Sequence, residues 1–378
     1  MRIPDINRVR VSFHGETVGS IASTPEGLMA FEYADEWLAN GFSVSPFSLP
    51  LEKRVFVARW RPFDGIFGVF DDSLPDGWGR LLVDRMLAKH GLNPREVGFL
   101  ARLSFVGASG MGALEYEPET AIAASLGGLD FDVVAEECAR LLATNESGDL
   151  DELLALGGSS GGARPKVLTE IEGEEWIVKF PSSVDSENIG EREYRIAKLA
   201  MLCGLDVPEV RLLPSNRCSG YFGVRRFDRI GADPLRKVHM ASAGALLELS
   251  HRVPNLEYEL LMRLTLLLTD SARDIEQLYR LMCFNVFIGN RDDHAKNFSF
   301  LYDEVAGRWS LSPAYDLTQN PGTYGERATT VNGKGKGITL DDLLVVGTKA
   351  GLKRSWAREI AEGIESKVES AGLLDCLW

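Results

Sequence analysis

Five side chains that could bind a metal ion or move a proton are concentrated in one segment, Gly289–Phe300. Its sequence, Gly-Asn-Arg-Asp-Asp-His-Ala-Lys-Asn-Phe-Ser-Phe, follows the apolar run Leu281–Ile288, which predicts a buried element. Polar groups at such a place are unfavourable unless they do chemistry or satisfy one another. Asp292 and Asn297 are five positions apart, the spacing at which protein kinases place a catalytic base and a magnesium ligand. The spacing predicts phosphoryl transfer, with Asp292 orienting or deprotonating the attacking hydroxyl.

A second candidate metal ligand, Asp316, follows nineteen residues after Asn297. It ends the stretch Ser-Pro-Ala-Tyr-Asp at residues 312–316, directly after a short strand-like run. Magnesium prefers oxygen ligands and keeps several of its own waters. The sequence therefore predicts that Asn297 and Asp316 together hold Mg²⁺.

The remaining polar residues of the segment have more than one interpretation. His294 either stabilises the loop, by bonding nearby carbonyls or Asp292, or contacts a phosphate or a metal-bound water, and the first is favoured. Lys296 either neutralises the transferring phosphate or balances the aspartates. We group both with Asp292 as predicted catalytic residues, whereas Asp293 is expected to be solvated.

A stretch rich in glycine and hydroxyl groups lies upstream, at residues 157–166, and reads Gly-Gly-Ser-Ser-Gly-Gly-Ala-Arg-Pro-Lys. It lacks the Gly-Lys-Ser/Thr ending of a Walker A loop. Because glycine lets backbone N–H groups approach a phosphate, we interpret it as a phosphate-binding loop, with a flexible linker as the alternative. The predicted nucleotide contacts are Gly158, Ser159, Ser160, Gly161 and Gly162.

Further nucleotide contacts are predicted after this loop. Lys179 lies among apolar residues in a predicted strand, where its charge needs a partner. Kinases pair their phosphate-binding lysine with a glutamate of the next helix, which predicts Glu193; an exposed lysine on an edge strand is the alternative. The strand-like run 221–229 is interpreted as carrying a hinge whose backbone reads adenine, at Arg225, Arg226 and Phe227.

Hydrophobic periodicity divides the chain into a mixed part and a helical part. Alternating apolar residues predict short strands within 9–33, and helical spacing predicts a helix over 75–89, capped by Asp72 or Ser73 and ended by Gly91. Further helices are predicted over 130–143, 241–250, 256–269, 272–288, 340–350 and 353–371.

The composition excludes several classes of protein. The 378 residues have a net charge of −14 and a pI of about 5.0, which argues against non-specific DNA binding by the whole surface. No apolar run reaches the length of a membrane span, and the first residues have no secretory signal core. The five cysteines are scattered, so neither a disulfide framework nor a zinc site is expected, and a reducing cytoplasm is predicted.

In this order, the residues resemble the HipA-type serine/threonine kinases, toxins of bacterial toxin–antitoxin pairs. The most specific motifs are Asp-Asp-His-Ala-Lys-Asn-Phe-Ser at 292–299 and Pro-Ala-Tyr-Asp at 313–316. Supporting motifs lie at 31–33, 48–51, 74–78, 179–181, 204–208 and 226–229. The resemblance implies an α+β, bilobal, protein-kinase-like fold related to lipid kinases. Its parts are an extra N-terminal subdomain (1–118), a mixed α/β N-lobe with the Gly-rich loop, strand lysine and hinge (119–230), and an all-α C-lobe with the catalytic loop (231–378).

The resemblance also implies cofactors and partners. Such kinases use ATP and Mg²⁺ to phosphorylate serine or threonine of a protein, in some cases an aminoacyl-tRNA synthetase, and thereby arrest growth and favour persistence. A small helix-turn-helix antitoxin (HipB-like) binds the toxin and represses the operon, so contact with DNA is indirect.

Autophosphorylation of the Gly-rich loop is implied as well, at Ser159 or the adjacent Ser160. A phosphate there would repel the phosphates of bound ATP. The alternative is that both serines only hydrogen-bond within the turn. Two rival functions stay open from the sequence: a non-catalytic regulator acting with a DNA-binding antitoxin, and a small-molecule kinase.

Overall fold

The computed structural model describes residues 6–120, 129–144, 150–157, 162–231, 235–322 and 324–372. The chain divides into two compact units. The first comprises Met1–Arg192 and Val210–Ala241, and the second comprises Glu193–Glu209 and Ser242–Trp378. Within the ranges given above, no helix is both long enough and apolar enough to cross a membrane.

The first unit begins with a five-stranded antiparallel sheet. Its strands are β1 (Arg8–Phe13), β2 (Glu16–Ser23), β3 (Met29–Tyr33), β4 (Val55–Val57) and β5 (Leu114–Glu117), in the order β4-β3-β2-β1-β5. Val9, Val11 and Phe13 are buried at alternating positions of β1, which confirms the period of two expected within 9–33.

Four helices accompany this sheet: α1 (Asp35–Asn40), α2 (Gly68–Asp71), α3 (Gly77–Lys89) and α4 (Phe99–Val106). A 3₁₀ turn, Pro94–Glu96, lies between the last two. Helix α3 confirms the helix expected over 75–89, and Gly91 follows its end in the left-handed region at φ 72°. The expected cap was wrong, because the residue at the N-cap position is Asp76. Ser73 instead accepts a hydrogen bond from the hydroxyl of Tyr116 at 2.6 Å.

A second antiparallel sheet lies in the same unit. It contains β6 (Lys166–Ile171), β7 (Glu174–Lys179), β8 (Val210–Leu213) and β9 (Tyr221–Arg225), in the order β6-β7-β9-β8. The helices α5 (Phe131–Thr144) and α6 (Leu150–Gly157) precede it in the chain. One hydrophobic core joins this sheet to α3, α5 and α6; it includes Trp78, Leu82, Met86, Cys138, Leu141, Leu154, Val167, Val178 and Tyr221.

Short elements complete this part of the chain: β10 (Arg229–Ile230) pairs with β11 (Arg236–Lys237), and β12 (His239–Ser242) follows. Helix α7 (Ile189–Leu202) begins in the first unit, and from Glu193 onward its residues belong to the second.

The second unit is mainly helical. Its helices are α8 (Ala243–Leu247), α9 (Tyr258–Thr269), α10 (Ala272–Phe287), α11 (Leu340–Lys349) and α12 (Arg354–Ser370). The side chains of Ser271 and Thr339 cap α10 and α11, and Asp342 completes a capping box at α11. A hairpin of β14 (Ser299–Asp303) and β15 (Arg308–Leu311) follows α10, and β13 (Leu256–Glu257) pairs in parallel with β16 (Thr329–Thr330).

Candidate active site

The catalytic loop that the sequence predicts begins directly after the end of α10. Gly289 turns the chain at φ 71°, and Asn290 follows with only 2% of its surface exposed. The side-chain amide of Asn290 donates to the side-chain oxygen of Asn285 at 3.0 Å, and its own side-chain oxygen accepts the N–H of Asp292 at 3.3 Å. Asn285 of α10 therefore satisfies the buried side-chain amide of Asn290, and Asn290 in turn holds the backbone N–H of Asp292.

Asp292 and Asn297 are brought together by direct bonds. The side-chain amide of Asn297 donates to the backbone carbonyl of Asp292 at 2.8 Å, and the N–H of His294 donates to the same carbonyl at 2.9 Å. The Asp292 residue is exposed, as a group that must reach a substrate hydroxyl should be. Because the amide nitrogen of Asn297 is held by the backbone, its oxygen is the atom suited to bind a cation.

Asp293 is not solvated, so this expectation was wrong. It is fully buried and its carboxylate forms an ion pair with Arg327 at 2.8 Å. The hydroxyl of Tyr258 donates to the same carboxylate at 2.8 Å. Burial raises the pKa of the Asp293 carboxyl, and the Arg327 guanidinium opposes that rise. Of the two adjacent aspartates, Asp292 is the exposed one.

His294 and Lys296 lie on the short 3₁₀ turn Ala295–Asn297. The Nδ1 atom of His294 accepts the N–H of Lys296 at 3.3 Å, so the imidazole caps this turn. The ring of His251 lies beside it, with 5.5 Å between ring centres. These contacts agree with the interpretation of His294 as a loop-stabilising group, whereas the predicted catalytic role of Lys296 stays a prediction.

Asp316 is connected to the catalytic loop through its neighbour Tyr315. The Tyr315 hydroxyl donates to the backbone carbonyl of Lys296 at 2.5 Å, so the hydroxyl of Ser299, 2.6 Å away, donates to Tyr315. Asp316 itself is exposed and has φ 53°, a conformation that non-glycine residues rarely adopt. Such strain is frequent at functional sites, where the surrounding structure holds it in place.

The donor set suits magnesium better than a transition metal. Asn297 and Asp316 offer an amide and a carboxylate oxygen, both hard ligands, and Mg²⁺ commonly completes its shell with water and substrate phosphate. Among the residues that the structure describes, no three His, Cys, Asp or Glu side chains cluster as a self-sufficient metal site. The residues present therefore fit an ion that arrives with a nucleotide.

Most of the predicted phosphate-binding loop, Gly158 to Gly161, lies outside the described residues. The following residue, Gly162, is held by the start of α3: its N–H donates to the carboxylate of Asp76, and its carbonyl accepts the N–H of Trp78 at 2.8 Å. Gly77 has no room for a side chain here, because a Cβ atom would lie 2.3 Å from the Gly162 carbonyl oxygen. The end of the loop is thus fixed by a helix from the N-terminal part of the same unit.

Arg164 holds the next part of this segment. Its guanidinium donates to both carboxylate oxygens of Asp185, at 3.0 and 3.1 Å. The hydroxyl of Ser182 donates to Asp185 at 2.6 Å. Burial alone would raise the pKa of Asp185, but the bonds from Ser182 and Arg164 hold it below its ordinary value.

Lys179 is half-buried at the end of β7, and its ammonium lies 5.7 Å from the centre of the Phe222 ring. Because β7 lies between β6 and β9, the alternative of an exposed lysine on an edge strand was wrong. Glu193 lies on α7 and is 4% exposed. The pairing of Lys179 with Glu193 stays a prediction.

The predicted hinge contains a buried ion cluster. Arg225 pairs with Glu174 at 2.6 Å, whereas the guanidinium of Arg226 pairs with Asp228 at 2.8 Å. Burial would raise the pKa of Asp228, but Arg226 and Arg229 hold it below its ordinary value. The N–H of Arg226 donates to a carbonyl of β7, that of Glu175, at 2.9 Å. Adenine recognition by Arg225, Arg226 and Phe227 stays a prediction, in which Arg226 would contribute its carbonyl.

The sequence did not indicate a role for three residues that contact the catalytic loop: Tyr258, Tyr315 and Arg327. Tyr315 lies inside a quoted motif, so its position next to Asp316 was a usable signal. Tyr258 and Arg327 lie in stretches without a motif, and their partner Asp293 is 35 and 34 residues away in sequence.

Comparisons with known proteins cover nearly the whole chain. Residues 9–117 match the family model described as the HipA N-terminal domain, and residues 158–372 match the HipA-like C-terminal domain. The chain is 26% identical over 386 residues to putative kinase Y4dM of Sinorhizobium fredii, covering 95% of this chain and 91% of that protein. It is 28% identical over 344 residues to putative kinase Y4mE of the same organism, covering 82% and 76%. Among solved structures, HipA of Shewanella oneidensis MR-1, in a complex with HipB and operator DNA, matches with a TM-score of 0.72 and 18% identity, covering 96% of this chain and 89% of that one.

Proposed function

The chain belongs to the HipA family, and we propose that it is an ATP- and magnesium-dependent serine/threonine protein kinase. The observation that carries the proposal is a pair of hydrogen bonds: Asn297 donates to the backbone carbonyl of Asp292, and Tyr315, the neighbour of Asp316, donates to the backbone carbonyl of Lys296. These bonds connect the loop that carries the proposed base to both proposed magnesium ligands, the parts that transfer of a phosphoryl group to a hydroxyl needs. The description of two relatives as putative kinases supports the same reaction.

In the proposed reaction, Asp292 accepts the proton of a serine or threonine hydroxyl. That oxygen forms a bond to the γ-phosphorus of ATP, the bond from this phosphorus to the bridging oxygen breaks, and ADP leaves. Asn297 and Asp316 would hold the magnesium ion, which when bound offsets the negative charge of the phosphates. Lys179 and the Gly-rich loop would bind the phosphates, and Lys296 would lie close to the developing charge.

We further propose that the protein acts as a growth-arresting toxin with a small helix-turn-helix antitoxin as its partner. The Shewanella relative of known structure is described in complex with HipB and operator DNA, which supports this partner class. A net charge of −14 favours contact with DNA through such a partner rather than directly. Aminoacyl-tRNA synthetases are the first protein substrates to test, and Ser159 and Ser160 are the proposed sites of autophosphorylation.

The proposal is tested by incubating the purified protein with γ-³²P-ATP and total soluble bacterial protein, followed by electrophoresis and mass spectrometry. We expect Asp292→Asn and Asp316→Asn to lower transfer by about a hundredfold or more, because each removes a charge that acts on the reacting atoms. Asp303→Asn, in the β14–β15 turn, is the matched control: its side chain accepts two backbone N–H groups there, which asparagine also accepts, and it should transfer normally.

Three outcomes contradict parts of the proposal. Equal transfer by wild type and Asp292→Asn would show that the label does not come from this site. Labelling of small molecules alone would indicate a small-molecule kinase. A Gly-rich loop that stays unmodified after long incubation with ATP would exclude autophosphorylation at Ser159 and Ser160.

A further inference from the structure

We infer that the buried ion pair of Asp293 and Arg327 positions the catalytic loop, so that Arg327 is a positioning residue for the base Asp292. The inference rests on the proposed kinase function, and Arg327 lies outside the motifs that carry the family resemblance. Both side chains are nearly inaccessible, at 0% and 4% exposure, with 2.8 Å between Arg327 Nη2 and Asp293 Oδ2. Neither group can meet a substrate, so any effect on catalysis passes through the backbone that they hold.

Asp293 is held on both of its carboxylate oxygens. Oδ2 accepts the Tyr258 hydroxyl at 2.8 Å in addition to Arg327, and Oδ1 accepts the N–H of Thr329 at 3.3 Å. The hydroxyl of Thr329 also donates to the backbone carbonyl of Asp293. Asp293 is therefore fixed as a whole residue, side chain and backbone together, immediately after Asp292.

Arg327 reaches the other side of Asp292 as well. Its Nη2 atom donates to the carbonyl of Asn290 at 2.6 Å, and its Nη1 atom approaches the carbonyl of Asn285, in α10, at 3.4 Å. Asn290 in turn accepts the N–H of Asp292 on its side-chain oxygen. The Arg327 guanidinium thus connects three places: Asn285 near the end of α10, Asn290, which accepts the N–H of Asp292, and Asp293, which follows Asp292.

Arg291, the residue directly before Asp292, is bound by the same stretch of chain. Its carbonyl accepts the N–H of Ala328 at 3.0 Å, and its guanidinium donates to the carbonyl of Pro321 at 2.8 Å. Both sequence neighbours of Asp292 are therefore attached to the segment that follows Asp316. Displacement of this segment would move the base relative to Asn297 even though no catalytic group is altered.

A buried ion pair is weak evidence for a role in stability, because apolar residues of similar volume often stabilise a fold equally well. The charged pair differs from an apolar pair in its geometric specificity. The planar guanidinium group of Arg327 can bond the Asp293 carboxylate and two carbonyls only in one arrangement. This geometric restriction would hold Asn290 and Asp293, and with them the backbone of Asp292 between them, in one position.

The test separates positioning from stability with the double variant Asp293→Asn/Arg327→Met. Each single variant leaves a buried group without its opposite charge and should lower the melting temperature, whereas the double variant leaves no buried charge and should regain most of it. We expect the double variant to lower kcat at least tenfold while KM for ATP changes less than about twofold, because the phosphate-binding residues are untouched. Arg280→Met, which removes an ion pair with Glu276 on α10, is the control that should lose stability but keep kcat.

Wild-type kcat in a folded double variant would overturn the inference and show that the pair only stabilises the fold. If the double variant does not fold, Arg327→Lys serves instead: it keeps the charge but not the fork, and a kcat equal to wild type would overturn the inference. Hydrogen exchange of residues 289–297 should be faster in either variant than in Arg280→Met. Absence of transfer by the wild type would overturn the proposed function and this inference together, whereas normal transfer by all variants overturns the inference alone.

Discussion

Two adjacent aspartates in the catalytic loop have opposite environments, and this difference sets their roles. Asp292 is exposed and is the proposed base, whereas Asp293 is fully buried and bound to Arg327. The spacing to Asn297 is what singles out Asp292 as the predicted base, and that role stays a prediction. The burial of Asp293 could not be predicted in the same way, because its charged partner comes 34 residues later and follows no periodic pattern.

Removal of one hydroxyl tests the connection between the two candidate metal ligands. Tyr315→Phe deletes the bond to the Lys296 carbonyl and the contact with Ser299, but keeps the ring. Since a hydrogen bond of this kind contributes about 0.5–1.5 kcal/mol, we expect kcat to fall by roughly two- to tenfold, measured as initial rates of phosphate transfer. Tyr302→Phe is the control, because the Tyr302 ring packs on Trp309 and phenylalanine retains that contact. A Tyr315→Phe enzyme as fast as the control would refute the role of this hydroxyl.

His239 gives the fold a specific dependence on pH. Its ring is 1% exposed, and burial lowers its pKa from 6.5 to about 4, although a hydrogen bond to the Val44 carbonyl at 2.9 Å opposes this. Below pH 6.5 the unfolded chain binds a proton at this residue that the folded chain does not bind, so stability falls as the pH is lowered from 6.5 to 4.

The loss attributable to His239 should approach about 3 kcal/mol, from 1.36 kcal/mol for each unit of pKa difference. His239→Gln cannot titrate, so its free energy of unfolding should depend less on pH between 7 and 4.5, as measured by urea denaturation. Parallel pH profiles of the two proteins would contradict the prediction.

At the scale of elements, the hydrophobic pattern was a sufficient guide where one element determines its own structure. It located α3 and the helices α9 to α12 to within a few residues. It failed at the start of α3, where Asp76 occupies the N-cap position but bonds the N–H of Gly162. That partner lies 86 residues away, and local capping rules contain no information about it.

The contact between α3 and the Gly-rich segment makes Gly77 a position where one methyl group should change nucleotide binding. Gly77→Ala places a methyl group against the Gly162 carbonyl. It also forces alanine to adopt φ 44°, a left-handed conformation that suits glycine. We expect a loss of about 1–3 kcal/mol of stability from the strained backbone and an increased KM for ATP, because Gly162 must move.

The control is Gly91→Ala, at the other end of the same helix, where φ is 72° but no atom lies within 4 Å of the added methyl group. It shares the backbone strain without the collision. KM for ATP should therefore rise only in Gly77→Ala, whereas the melting temperature should fall in both variants. An equal KM in the two variants would show that α3 does not influence the loop.

At the scale of the whole molecule, the first unit combines the N-terminal subdomain expected at 1–118 with most of the part expected at 119–230. Their shared core contains Trp78 and Leu82 from α3 together with Val167 and Val178 from the second sheet. The division at residue 118 is what the family resemblance implies, and it stays a prediction. A shared core leaves no trace in a one-dimensional pattern, since its contacts join residues that are about a hundred positions apart.

Buried charged side chains also connect residues 1–118 to the rest of the first unit, and they predict how the two parts behave when they are separated. Arg226 and Arg229 donate to the carbonyls of Gly110 and Gly112, and the N–H of Gly112 donates to the carboxylate of Asp228. Without residues 1–118, these three side chains lose their hydrogen bonds to Gly110 and Gly112 and the hydrophobic core loses one side, and buried polar groups without partners are unfavourable. We expect residues 119–378 alone to be insoluble or to melt without a cooperative transition, as measured by calorimetry.

Co-expression with residues 1–118 should restore a complex that melts cooperatively and transfers phosphate, because the missing contacts are non-covalent. A fragment 119–378 that melts like the full chain would show that the first unit is two independent domains.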